Sequence, residues 1–160
     1  MNQATPTRRL FCLDTNVFVE SWARRYPIDV FPSFWRRLEN WAEKKVVLAP
    51  IEVRNELQKI EDELFHWVKD RPFIFRDVDE KVQLKLAEIM AKFPRLVDTK
   101  KGRNVADPWV IAQAQSESAI VITEELPGGG KSPKIPDVCE ALSIPYANTL
   151  QLIREMKLSF

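Results

Sequence analysis

The chain is 160 residues long and poor in the side chains that most often make an active site: one histidine, two cysteines and four glycines, with charges that nearly cancel at +1. Each scarcity removes a class of function. A Ser-His-Asp or Cys-His nucleophile would have to use His66, the sole imidazole, and no motif around it supports that use. Zinc is equally disfavoured, because no CxxC or HExxH spacing occurs and Cys12 and Cys139 lie far apart in sequence. Both cysteines stand in apolar contexts ("LFCLD" and "PDVCEAL") and read as buried free thiols suited to a reducing cytosol. Three of the four glycines fall in one stretch, "LPGGGKSPKIP" (126–136), which lacks GxxxxGK[ST] spacing and so reads as a surface loop rather than a phosphate cradle. Near-zero net charge neither demands nor excludes nucleic acid, so any such contact must come from local clustering. Long apolar runs are missing too. The one after the basic start is a few residues long, shorter than a signal-peptide core and far short of the roughly 20 residues of a membrane span. The expectation is a soluble, cytoplasmic protein without a membrane partner.

What is present describes a compact α/β protein. At 45% hydrophobic and 29% charged residues, composition and length fit one globular domain over residues 1–160. Short apolar runs at 10–13, 46–49, 73–75, 119–123 and 144–147 read as strands. Helical spacing separates most of them: Phe34, Leu38 and Trp41 in one segment; Val53, Leu57, Ile60, Leu64 and Trp67 in a single long one; Val82, Leu86 and Ile89 in a third. "DPWVIAQAQSES" and "NTLQLIREMKL" complete the helices. Uninterrupted apolar strands between helices indicate a mostly parallel sheet of about five strands covered on both faces, a three-layer α/β/α sandwich.

The run "RLFCLDTNVFVES" ends a buried strand on an acid, Asp14. In open parallel sheets, ligands bind outside the carboxyl ends of the strands. Glu124 and Glu125 follow Thr123 at the end of the fourth strand, and Glu56 and Asp107 stand at helix starts facing the same edge. Each acid has a plainer role. Asp14 can cap the helix after it. Asp107 before Pro108 is an N-cap pattern. Glu52 and Glu56 can share a solvated helix face, and Asp137 with Glu140 makes a capping box. Jointly placed, however, four carboxylates would repel one another unless a cation neutralised them. Oxygen-only ligands select a hard ion, Mg²⁺ or Mn²⁺, which can hold phosphate oxygens and activate water.

The order "FCLDTNVFV", "APIEVRNEL", "NVADPWVIAQA", "AIVITEE" resembles the PIN domain, the nuclease fold of VapC-type toxins. Within that superfamily it is most similar to a little-characterised branch with a "VFPSFW" segment, a late "KIPDVC" segment and a terminal phenylalanine. The resemblance spans residue 10 to about 160. It implies a parallel sheet flanked by helices and an acidic Mg²⁺ or Mn²⁺ site hydrolysing RNA, with Asp14, Glu56, Asp107 and Glu125 as catalytic and metal-holding acids. The fourth place is usually an aspartate two residues after a threonine. Here it is Glu125, counted from Thr123, with Glu124 a substitute beside it. Asn16 and Thr123 match supporting polar positions that orient the acids. The family further implies the toxin of a type II toxin–antitoxin pair, blocked by a small antitoxin protein and able to form a homodimer.

Lys100, Lys101 and Arg103, just upstream of Asp107, offer a basic loop for RNA phosphates. Arg24-Arg25 and Arg36-Arg37 could extend that face or receive an acidic partner. The five tryptophans and nine phenylalanines mostly fall at core spacing and read as packing rather than base-stacking platforms. Two other functions keep the same residues: an aspartyl-nucleophile phosphohydrolase starting on Asp14, and an inactive PIN-fold binding module. The first wants a second acid at position 16, where the chain has Asn16.

Overall fold

The computed structural model describes residues 9–97, 105–128 and 132–158. Its centre is an all-parallel five-stranded sheet in the order β3-β2-β1-β4-β5. The strands are β1 (Phe11–Leu13), β2 (Val47–Pro50), β3 (Phe75–Arg76), β4 (Ile120–Ile122) and β5 (Tyr146–Ala147). Phe11 pairs with Val47 on one side and Ile120 on the other, so β1 is the central strand. β1 and β2 are buried at every position, as expected where helices cover both faces of a parallel sheet. Fully burying a Leu, Val or Phe stabilises by about 1.5–3 kcal/mol each. The central strands and their helices therefore supply the surplus against which polar groups can be held inside. This is the helix-covered parallel α/β architecture that the sequence implies.

Eight α-helices lie among the described residues: α1 (Thr15–Glu20), α2 (Pro32–Glu43), α3 (Ile51–Ile60), α4 (Glu63–Lys69), α5 (Glu80–Lys92), α6 (Asp107–Glu117), α7 (Ile135–Ala141) and α8 (Thr149–Met156). None is long and apolar enough to cross a membrane. α2 buries Phe34, Trp35, Leu38 and Ala42, and Trp35 meets Trp22 and Trp67 edge-on with ring centroids 5.0 Å apart. The aromatics named here are packing, as expected. Both cysteines are buried and free, and His66 lies on the surface.

Two local readings need correction. Residues 51–70 are not one helix: Glu61 takes a left-handed φ of 49°, and the Asp62 carboxylate accepts the Phe65 N–H at 3.1 Å to start α4. A side-chain acceptor that restarts the helix competes with continuation, and Ile60, placed on the buried stripe by spacing, is 59% exposed. In the 73–75 run, Phe73 and Ile74 belong to a tight 3-10 turn (Pro72–Ile74), and β3 begins only at Phe75.

The chain steps from β1 to β2 to β3 in one direction, then returns to place β4 on the other side of β1. The reversal opens a crevice at the carboxyl ends of β1 and β4, the general location of ligand sites in open α/β sheets. Asp14 follows β1, and Thr123, Glu124 and Glu125 follow β4.

Candidate metal centre

A cavity of about 200 Å³ sits at that crevice, lined by Asp14, Thr15, Asn16, Val19, Glu56, Asp107 and Glu125. Asp14 both caps α1 and faces the cavity, so the two readings of this acid are not alternatives. Its Oδ1 accepts the Thr15 N–H at 2.7 Å, and its Oδ2 accepts the Thr123 hydroxyl at 2.9 Å. Thr123 Oγ1 in turn accepts the Glu125 N–H at 3.1 Å. One hydroxyl thus fixes the orientation of the first acid and the backbone of the fourth.

Asp107 does not cap α6. It is the first helical residue, with Ala106 at the N-cap. The Ala106 N–H is taken instead by Glu56 Oε1 at 2.9 Å, from a residue 50 positions earlier. Asp107 is 5% exposed, and among the described residues its Oδ2 has no hydrogen-bond partner. Thr15 Oγ1, on another cavity-lining residue, is buried and unpartnered as well. A buried carboxylate oxygen without a donor is costly, which raises the question of what completes it.

Asp14, Asp107 and Glu125 each offer an oxygen, and these atoms all lie within 4.8 Å of one another. Burial, then the repulsion of Glu125, raises the Asp14 carboxyl from 3.8 to about 7, against the lowering hydrogen bonds from Thr123 and Thr15. Burial, then Asp14, Glu125 and Glu56, raises Asp107 from 3.8 to about 10, with Lys134 opposing. Three carboxyl groups with oxygens at this spacing, one of them carrying the orphaned Asp107 Oδ2, fit a divalent cation bound by oxygen ligands.

The sequence-nominated residues fall into distinct places. Glu56 lines the cavity, outside the tight group of three. Glu124 turns away: its Oε1 accepts the Thr149 N–H at 2.9 Å and its Oε2 pairs with Arg25 at 3.1 Å. Glu125 Oε2 accepts the Ile135 N–H at 3.0 Å, tying the acid to the start of α7. Asn16 lines the cavity, and its Oδ1 accepts the Glu124 N–H at 3.1 Å. Glu52 accepts a 3.5 Å hydrogen bond from Asn55 on its own helix. Asp137 is not the start of a capping box with Glu140. It is the third residue of α7, and its Oδ2 accepts the N–H groups of Lys134 at 2.8 Å and Gly128 at 2.9 Å. Lys100, Lys101 and Arg103 lie outside the described residues. Of the other arginines, Arg24 pairs with Glu20 at 3.7 Å, and Arg37 donates to the Met156 carbonyl at 2.9 Å. Sequence reasoning missed Lys134 as a charge felt by Asp107. Its only signal was its place in "KIPDVC".

A family model described as "Domain of unknown function (DUF4411)" matches residues 11–160. A comparison with curated proteins finds no match. Among solved structures, the crystal structure of VapBC2 from Rickettsia felis bound to a DNA fragment from their promoter is similar, with a TM-score of 0.55 at 15% identity, over 87% of this chain and 98% of that one. At that identity the likeness speaks for the fold alone.

Proposed function

We propose that this chain, which belongs to the DUF4411 family, is a metal-dependent endoribonuclease that hydrolyses RNA phosphodiester bonds at the acidic cavity between β1 and β4. The observation that carries the reading is the convergence of Asp14, Asp107 and Glu125 within 4.8 Å at a topological switch point, with Asp107 Oδ2 buried and unpartnered. Those three acids would hold Mg²⁺ or Mn²⁺, with Glu56 on the cavity wall. A bound ion there would supply positive charge for phosphate oxygens and would acidify a water for attack on phosphorus.

The chain's own residues prepare that chemistry. Thr123 keeps Asp14 Oδ2 aimed, Asn16 anchors the Glu124 amide, and the Ile135 N–H holds one oxygen of Glu125. Asp14 and Asp107 carry raised pKa values near 7 and 10, so cation binding must displace protons from them. The aspartyl-nucleophile alternative is less well served: Asn16 stands where its second acid is needed, and Asn16 Oδ1 already accepts the Glu124 amide.

The likeness to a VapBC2 complex supports, at the level of fold, the toxin of a type II toxin–antitoxin pair. A small antitoxin protein and a second copy of the chain are its partners in this reading. The test is cleavage of an end-labelled single-stranded RNA by purified protein with Mn²⁺ or with EDTA. Internal cuts should need Mn²⁺ and should disappear in Glu125→Gln and Asp107→Asn. Equal cleavage in EDTA, or cleavage retained in both variants, refutes the proposal.

A further inference from the structure

Beside the cavity, α1 continues into a π-helical turn, Ser21–Arg25, closed by the Tyr26 N–H on the Ser21 carbonyl at 2.8 Å. Such turns are uncommon and recur at functional sites. This one has a geometric consequence. Asn16 and Arg25 both reach Glu124, Asn16 through the Glu124 amide at 3.1 Å and Arg25 through Oε2 at 3.1 Å. Residues nine apart on a regular α-helix are about two and a half turns apart and face opposite sides. The wider turn absorbs one residue and brings Arg25 round to Glu124, whose amide Asn16 holds. Arg24 is left to pair with Glu20 on its own helix.

The result is a half-exposed cation fixed on Glu124, the residue next to the cavity-lining Glu125. The Glu124 side chain is only 10% exposed and is braced by the Thr149 N–H at 2.9 Å, while 51% of the Arg25 side chain remains exposed. A surface arginine that only locked two loops together would gain little from this arrangement, since half-exposed ion pairs are worth little. A planar guanidinium held through Nη1 by a braced carboxylate still has donors to present to an oxyanion.

We infer that Arg25 is a substrate-binding residue, taking a backbone phosphate that flanks the one placed at the acidic cavity. The inference rests on the nuclease reading above and assigns the chain a direction of RNA entry along α1, over the β4 end. Glu124 is then the residue that aims Arg25, which explains why two adjacent acids after β4 point to different places. Phosphate contacts position a nucleic acid without reading its sequence, so Arg25 contributes affinity for RNA of any sequence.

The test uses Arg25→Gln, whose amide can still donate to Glu124, alongside Arg25→Lys, which keeps the charge. In Mn²⁺-dependent cleavage of a single-stranded RNA, Arg25→Gln should raise KM roughly ten-fold with little change in kcat, for loss of one charge-assisted phosphate contact. The slope of log affinity against log salt should fall by about 0.7, the single-strand increment for one phosphate. Arg25→Lys should keep that slope. Unchanged KM and slope in Arg25→Gln overturn the inference, and so does a fall in kcat at the parent slope, the signature of a purely structural pair. Binding of labelled RNA to Asp107→Asn, with and without Arg25→Gln, reads the same slope without turnover. A parent protein that cuts no RNA would therefore sink the nuclease reading while leaving the Arg25 contact separately measurable.

Discussion

Changing Asp107 to asparagine should make the cation-free protein more stable, an uncommon result for a buried polar residue. Burial and the neighbouring acids push the Asp107 carboxyl from 3.8 to about 10. Between those values the folded protein binds more protons than the unfolded chain, so stability falls as pH rises through that window. Below about pH 4 both states are protonated and the cost vanishes. At pH 7 the folded state holds a proton about three pH units above the unfolded value, at about 1.4 kcal/mol per unit, or ~4 kcal/mol in all. Asparagine keeps the shape and removes the charge, but its buried amide returns about 1–3 kcal/mol of desolvation cost. The net gain is roughly 1–3 kcal/mol at pH 7, or about 3–10 °C in melting temperature for a chain of this size. Melting curves in EDTA at pH 4, 7 and 8.5 should show the variant below the parent at pH 4, where only its amide cost remains, ahead of it at pH 7 and further ahead at pH 8.5. Millimolar Mn²⁺ should reverse the order by stabilising only the parent through mass action. A variant that melts below the parent in EDTA at pH 8.5, with the same Mn²⁺ response, would show that Asp107 is a structural residue and that the shared-site account is wrong.

Other outcomes follow from the same geometry. Glu56→Gln should abolish cleavage while Glu52→Gln leaves most of it, since Glu56 lines the cavity and bridges to α6 whereas Glu52 only meets Asn55; the reverse pattern in an RNA gel would place the wrong turn of α3 at the site. Thr123→Val removes the hydroxyl that lowers the Asp14 pKa, so the Mn²⁺-induced rise in melting temperature should begin at higher pH than in the parent, as a pH series would reveal. Asp137→Ala frees the Gly128 and Lys134 amides that one carboxylate gathers beside Glu125; kcat should fall several-fold with only a modest loss of melting temperature, and unchanged kcat would separate that loop from the site. Replacing Lys100, Lys101 and Arg103 together with alanine should weaken RNA binding and flatten its salt dependence while sparing turnover at saturating RNA. An unchanged salt slope would remove them from the RNA path.

The amino-acid sequence by itself determined the parallel α/β architecture, because burial on both faces imprints continuous apolar runs on the strands and a 3.6-residue period on the helices. It also determined that Asp14 and Glu125 stand at strand ends, since Asp14 follows one apolar run directly and Glu125 comes three residues after another. It did not reveal the break at Glu61, because a left-handed residue followed by an aspartate cap leaves the helical spacing of the apolar residues almost intact. Nor could it separate Glu124 from Glu125, neighbours of the same chemistry whose side chains diverge according to what surrounds them. The tertiary structure decided that point by supplying Arg25 and the Thr149 amide to one and the cavity to the other. It likewise transferred the Ala106 amide from the local acid Asp107 to the distant Glu56, leaving Asp107 Oδ2 buried without a donor. The physical reason is common to both. Local patterning sets which way each segment folds, whereas a carboxylate's partner is fixed by whichever donors the crossovers bring within hydrogen-bond reach, as Thr123 reaches Asp14 across 109 positions.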